Sequence, residues 1–276
     1  MKTMSAEVLA LWDFDDPAES RAKFEAAAEG ETDPARRLVW LTQVARAHGL
    51  AGEYAEAHAV LDGLEDNGHV AAGGERAQAD SGHVAAGGER AQAGSGHVAA
   101  GSGQAQAGSG RVALERGRVL RSSGDVAGSV PLFRKAFDDS MAAGERGLAA
   151  DAAHMLALVL PEEHEEWAGR GLEVAEGRDD PLAWSMTGAL LNNLGWKLAD
   201  EERWAEAYEL FDRAVGARER VAETVASKGT AESLHVARWC RARAARALGR
   251  HEEALAELRA LDQSDPYVQE EISLLS

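Results

Sequence analysis

The sequence is short of cysteine, proline and aromatic residues. Its single cysteine, Cys240, excludes an intrachain disulfide and leaves too few thiols for a zinc site built on cysteine. Aromatic residues make up 5% of the chain against 45% for all hydrophobic residues, so much of the apolar content is alanine, which suits closely packed helices. No apolar run reaches the length that spans a membrane.

Basic residues are also scarce. The chain has 29 Lys and Arg against 47 Asp and Glu, which gives a formal net charge of −18. A nucleic-acid-binding protein needs a basic face to neutralise phosphates, and anionic membranes attract basic segments. We therefore expect neither partner. The acidic stretch that follows residues 1–5 does not resemble a signal peptide, which predicts a cytoplasmic protein.

The sequence has no Walker-type phosphate loop and no His-Glu-x-x-His motif. The run Pro-Glu-Glu-His-Glu-Glu at 161–166 looks like a metal ligand set, but it is typical of an acidic helix start. His69, His83 and His97 recur only because the unit that contains them is duplicated. We expect no catalytic residue, no metal and no cofactor, and thus a protein that is not an enzyme.

A unit of fourteen residues is repeated in tandem in the first half of the chain. Residues 68–81 return at 82–95 with one change and at 96–109 with more changes. A fourth copy at 110–123 carries leucines, and we interpret it as the helix from which the others were duplicated.

The glycine-rich copies are poor helix formers, because each interior glycine costs up to about 1 kcal/mol relative to alanine. We predict that residues 66–109 form a mobile insert. Weak helical turns stacked in the remainder of the protein are the alternative.

A longer and looser repeat of helix, short turn and helix occupies the rest of the chain. Small residues recur where two helices would cross, because only a small side chain lets two backbones approach closely. On the first helices they are Ala45, Gly117, Gly195 and Ala242, and on the second helices Ala57, Ser129, Ala207 and Ala254. The larger core residues beside them are Leu61, Phe133, Phe211 and Leu258.

Four Asp-Pro pairs mark helix starts, because aspartate caps free amides and proline suits the first helical position. They predict a leading helix over 17–29 and a closing helix over 266–274 that caps the last repeat. Pro131 falls inside a predicted second helix. It should kink that helix or delay its start to about Ser129.

The helix pairs resemble the tetratricopeptide repeat, a helix pair of about 34 residues. Outside 66–109 the chain looks like an actinobacterial tetratricopeptide-repeat protein. The stretches that carry the resemblance are 11–17, 41–47, 114–120, 151–157 and 192–196. Members of this family are mostly described only as repeat proteins, so the resemblance implies an interaction role and not a reaction.

The resemblance also implies a fold. We expect an all-α, right-handed solenoid of about five helix pairs, with an N-terminal helix and a C-terminal capping helix. Residues 1–65 would hold the N-terminal helices and the first pair, 66–109 the insert, and 110–276 pairs two to five with the cap.

In such an array the first helices line the concave face. Side chains two residues before and one residue after the small crossing residue should point into the groove. The predicted partner-binding residues are Gln43, Arg46, Glu115, Arg118, His154, Asn193, Trp196 and Arg243, and the same rule also selects Ala157 and Cys240. The three arginines match carboxylate or phosphate groups, so we predict a protein or peptide partner with acidic segments. The alternative is that these arginines pair with nearby glutamates.

Three functions stay open on the sequence. The chain is a scaffold that binds a protein or peptide in its groove, a regulatory protein that senses a peptide or other ligand, or a self-associating structural array. A clamp for a partner's C-terminal carboxylate is not expected, because the helix after Asn193 lacks basic residues near Val236 and Cys240.

Overall fold

The computed structural model describes residues 3–66 and 95–275, and these residues form helices and no strand. The α-helices are α1 (Met4–Leu11), α2 (Pro17–Gly30), α3 (Pro34–Leu50), α4 (Tyr54–Asp66), α5 (Ser95–Ser122), α6 (Val126–Ala143), α7 (Arg146–Val159), α8 (His164–Ala175), α9 (Pro181–Asp200), α10 (Trp204–Thr224), α11 (Lys228–Ala247), α12 (His251–Arg259) and α13 (Pro266–Ser273). A short 3-10 turn, Pro161–Glu163, precedes α8.

The helices from α3 to α12 pack as five consecutive pairs, each made of neighbours in the chain. Each pair also packs on the next: α3 lies on α5, α6 on α7, α8 on α9 and α10 on α11. Helix α2 packs before the first pair and α13 after the last. The all-α solenoid of helix pairs predicted from the sequence is confirmed.

Close helix crossings depend on the small residues that the sequence places there. A Cβ atom on Gly195 of α9 would lie 2.5 Å from Cε1 of Phe211 on α10. Gly117 of α5 meets Phe133 of α6 in the same way, at 2.6 Å. The predicted small residues of the other pairs, Ala45, Ala57, Ala242 and Ala254, are fully buried, as are the large residues Leu61, Phe133, Phe211 and Leu258.

We expect Gly195→Ala to destabilise the protein by about 1–3 kcal/mol, because the new methyl group overpacks the crossing against Phe211. Gly216 is a matched control on α10, since a Cβ atom there meets nothing within 4 Å. Its substitution by alanine should be neutral or stabilising, because alanine is the better helix former. Urea unfolding followed by circular dichroism measures both values. If both variants lost the same stability, the close contact between Gly195 and Phe211 would not be the cause of the loss.

The four Asp-Pro pairs start helices as predicted. The side chains of Asp16, Asp33, Asp180 and Asp265 each accept a hydrogen bond from a backbone amide in the first turn of the helix that follows. The leading helix ends at Gly30, and the closing helix ends at Ser273. Both ends lie within one residue of the prediction.

One predicted helix start is wrong. The helix expected at Gly110 begins at Ser95, and Gly110 is buried inside it against α6, with Oγ of Ser140 2.8 Å from the position of a Cβ atom. Of the two alternatives for the helix with Pro131, a kink or a delayed start, the delayed start is excluded, because α6 begins at Val126, where Asp125 caps it. Pro131 is held inside this helix. Of the predicted mobile insert, residues 67–94 lie outside the described residues, and residues 95–109 are helical.

Candidate functional site

An N-terminal segment, residues 4–15, contacts helices from both ends of the array. It consists of α1 and the four residues that follow, and α1 packs on α2, α3 and α9. Ser227 donates a hydrogen bond to the backbone oxygen of Leu9 over 3.3 Å. Lys228 Nζ lies 2.8 Å from Oδ2 of Asp15 and 3.3 Å from Oδ1 of Asp13. The sequence analysis did not predict α1 or these contacts.

Trp12 anchors the N-terminal segment to the first pair. Its indole Nε1 donates a buried hydrogen bond of 3.0 Å to Oε1 of Gln43 on α3. Its ring stacks on Phe14 at 4.9 Å and packs on Phe24 at 5.0 Å. The guanidinium of Arg46 lies over the Trp12 ring at 5.2 Å and the Phe14 ring at 5.5 Å. Gln43 and Arg46, both predicted groove residues, therefore contact the protein's own N-terminal segment.

The N-terminal segment and the first helices enclose a central cavity of about 180 Å³. The residues around it include Met4, Ser5, Val8, Leu9, Trp12 and Phe14 of the N-terminal segment, Gln43 and Arg46 of α3, Arg111 and Glu115 of α5, Leu148 and Asp151 of α7, Leu182, Ser185 and Met186 of α9, Arg218 of α10 and Thr230 and Ser233 of α11. All five first helices thus contribute residues to this one cavity.

A buried ion-pair network lies next to the central cavity. Arg118 donates to Glu115 on its own helix and to Asp151 on α7, both over 2.5 Å. Burial raises the pKa of Glu115, whereas Arg118 and Arg46 hold the pKa of Asp151 below its ordinary value despite burial. The network joins the second pair to the third and keeps Arg118 occupied.

Two arginines of the cavity, Arg46 and Arg218, have no carboxylate within 4 Å among the described residues, whereas Arg111 pairs with Glu145. Nη1 of Arg218 donates to Oγ of Ser185 over 2.9 Å. The Arg218 side chain passes close to Gly188, where a Cβ atom would lie 2.6 Å from Nε of Arg218. Burial lowers the pKa of Arg218 to about 10. Arg218 is therefore a cation at the cavity wall with only a neutral partner.

His154 and Asn193, two further predicted residues, lie beside this network. Their side-chain nitrogens Nε2 and Nδ2 are 3.1 Å apart. Burial lowers the pKa of His154 to about 4, and the charges of Arg118 and Arg218 act in the same direction. A neutral His154 accepts the hydrogen bond from the Asn193 amide.

We expect stability to fall on mild acidification because of His154. The unfolded chain binds a proton near the ordinary pKa of 6.5, whereas the folded chain binds it only near 4. Stability is therefore full above 6.5 and decreases as the pH falls toward 4, by about 2 kcal/mol between pH 7 and pH 5. Urea unfolding at the two values measures the difference.

The matched variants are His154→Gln and His251→Gln, the second at an exposed histidine of α12. We expect the first to remove most of the loss between pH 7 and pH 5 and the second to keep it. If both variants lose as much stability as the wild type, His154 is not the responsible group.

Trp196 and Arg243 do not line the central cavity. They belong to an aromatic cluster at the last pair, in which Trp196 packs on Trp239 at 5.9 Å and the guanidinium of Arg243 lies 5.2 Å from the Trp196 ring. Arg243 Nε is 3.8 Å from Oε1 of Glu271 on α13. Cys240 and Ala157, which the same sequence rule selects, are buried, and burial raises the pKa of Cys240 to about 12.

Three residues that line the cavity, Trp12, Phe14 and Arg218, were not predicted as site residues from the sequence. Trp12 and Phe14 were recognised only as part of a family-like stretch, and nothing in their neighbourhood predicts a contact more than two hundred residues away. Arg218 lies on a second helix, outside the positions that the groove rule selects. No local signal identified it: Gly188 lies close to Arg218, but Gly216, also inside a helix, meets nothing within 4 Å.

The described residues, 3–66 and 95–275, bear on metal binding and membrane spanning only through what they contain. They contain no group of three or more His, Cys, Asp or Glu side chains that could hold a metal ion. None of their helices combines the length and the apolar character needed to cross a membrane.

Comparison with known proteins gives little. No family model matches the chain, and no curated protein sequence matches it. Among solved structures, it is similar to a Podosopora anserina kinesin light chain protein with nearly identical TPR-like repeats. The two are 17% identical, the match covers 88% of this chain and 98% of that one, and the TM-score is 0.44. The fold described above therefore rests on the helix packing of this chain itself.

Proposed function

We propose that this protein binds a segment of another protein, or a peptide, on its concave face at the central cavity. The observation that carries the proposal is that all five first helices and the N-terminal segment converge on one cavity. Ligand sites are typically concave, largely apolar and supplied with a few polar groups that fix orientation. This cavity has apolar walls from Val8, Leu148 and Met186, and polar groups from Arg218 and Ser185.

Charge supports an acidic partner. In a chain of net charge −18, Arg46 and Arg218 reach the cavity without a carboxylate within 4 Å among the described residues. Burial lowers the pKa of Arg46, and the negative charges of Glu115 and Asp151 act in the opposite direction. An arginine guanidinium offers planar donors that match a carboxylate. The acidic groups of the partner would therefore lie at the cavity, while its apolar side chains contact the apolar walls.

The test is a selection of peptides from a random library displayed on phage, with the full chain as the target. Enriched sequences are synthesised, and their affinity is measured by titration calorimetry. We expect enriched peptides that combine an acidic residue with apolar ones. A selection that enriches no sequence above the background of an empty support would contradict the proposal.

A pair of variants on α11 locates the binding. Ser233→Phe places a ring in the cavity, and Ala231→Phe places the same ring on an exposed position of the same helix. We expect the first to weaken binding at least tenfold and the second to leave it unchanged, with equal helicity by circular dichroism. Equal affinities for the two variants would move the site away from the concave face.

The position of the N-terminal segment supports the alternative function, a regulatory protein that senses a peptide or other ligand. The segment lines the cavity and also contacts residues 227–229 at the start of the last pair, so a bound ligand would touch the element that links the ends of the array. Compaction of the protein in X-ray scattering on adding a selected peptide would favour sensing, and unchanged scattering would favour a scaffold. A solution mass well above 29.3 kDa would favour the self-associating array.

A further inference from the structure

We propose that Arg218 and Ser185 form the anchor for a single carboxylate group in the central cavity, and that the ligand joins this carboxylate to a small apolar body. The inference rests on the proposed function in that it uses the same cavity. It adds the chemical class of the group that enters and the side chains that hold it. The group is either the side chain of an acidic residue in a partner segment or a free small carboxylic acid.

The first step is the lack of a counter-ion. Arg218 is half-buried, and removing a charge from water is unfavourable unless an opposite charge compensates. Arg118, close by, has two carboxylates at 2.5 Å. Arg218 has only the hydroxyl of Ser185 at 2.9 Å. Within the described residues, a carboxylate on a ligand is the compensation that the site lacks.

The second step is the geometry of the donors. Arg218 uses Nη1 to donate to Ser185, and its guanidinium has further donors to offer. The Ser185 oxygen accepts that bond, so its own hydrogen is free to donate. A carboxylate placed between the two side chains would accept from both. Glycine at position 188 leaves room for the Arg218 side chain in this position, because a Cβ atom there would lie 2.6 Å from Nε of Arg218.

The third step is size. The volume of about 180 Å³ is close to that of an apolar cavity of about 150 Å³ that holds benzene. The space therefore suits one side chain or a small molecule and not a whole helix. Leu148, Leu182 and Met186 supply an apolar wall around it.

The experiment has two arms, both on the full chain. In the first, benzoate, 3-phenylpropanoate and hexanoate are titrated beside their neutral amides and followed by ligand-observed NMR. In the second, the peptide acetyl-Ala-Leu-Glu-Leu-Ala-amide is compared with the same peptide carrying Gln in place of Glu. We expect the carboxylate of at least one arm to bind about tenfold or more tightly than its neutral partner, because hydrogen bonds to charged groups are the stronger ones.

Variants assign the effect to Arg218. We expect Arg218→Gln to remove the preference for the carboxylate, Arg218→Lys to keep part of it, and Arg220→Gln, an exposed arginine on the same helix, to keep all of it. Circular dichroism confirms that the variants are folded. Binding in the acid arm alone identifies a small-molecule ligand, and binding in the peptide arm identifies a partner side chain.

Two results would overturn the inference: no carboxylate preference in either arm, or a preference that survives in Arg218→Gln. These results differ from a failure of the proposed function. If the selected peptides bind in a way that Ser233→Phe abolishes and Arg218→Gln leaves unchanged, the concave face is the binding surface and the anchor is wrong. If only the free acids bind through Arg218, the anchor is right and a protein partner is wrong.

Discussion

Arg118→Gln is expected to lower the free energy of unfolding by about 3–5 kcal/mol. The guanidinium holds Glu115 and Asp151, whose side chains are only 3% and 5% exposed. Without it, two carboxylates stay buried with no partner of full opposite charge at hydrogen-bonding distance. Urea unfolding at pH 7, followed by circular dichroism, measures the loss.

Arg116→Gln is the matched control for this prediction. Arg116 is on the same helix, and the carboxylates of its partners, Asp62 and Glu65, are exposed to solvent. Exposed pairs contribute about 0–1 kcal/mol, so the control should remain close to the wild type. Similar losses in the two variants would mean that the buried network does not stabilise the fold.

Trp12→Ala is expected to cost about 3–5 kcal/mol, which is typical of removing a buried tryptophan. The indole ring is 3% exposed, packs on Phe24 and Arg46, and donates to Gln43, whose oxygen would lose its partner. Urea unfolding gives the total loss. Hydrogen exchange of the α1 amides shows whether the N-terminal segment has left the array.

Phe14→Ala is the control within the same segment, because the Phe14 ring is 44% exposed. It should cost about 1 kcal/mol or less. If Trp12→Ala costs no more than Phe14→Ala and leaves the exchange of α1 unchanged, the segment is not anchored through Trp12. In that case the cavity is not closed on this side in solution.

Much of the fold could be predicted because the information is local. The small residues at the crossings, among them Gly117 and Gly195, determine where two helices can approach, and four aspartates mark helix starts. The start of α5 was wrong because glycine-rich composition argues against a helix, whereas packing of Gly110 on α6 favours one. Tertiary packing overrides a weak local preference in such segments.

The candidate site was predictable only in part. The position rule selected Gln43, Arg46, Glu115, Arg118 and His154, and the structure does bring these together on the concave side. It could not show that they already contact one another and the N-terminal segment. Arg218 and Trp12 were missed because their roles depend on contacts between distant parts of the chain, which no local pattern encodes.

The central claim is that partners bind on the concave face, and photo-crosslinking tests it most directly. A selected peptide carrying benzoylphenylalanine at an apolar position is irradiated with the full chain, and the attached residues are identified by mass spectrometry. Benzophenone reacts readily with methionine, and Met4 and Met186 line the cavity whereas Met141 of α6 does not. The account predicts attachment at Met4 or Met186. Attachment at Met141 or at other residues that do not line the cavity would contradict it.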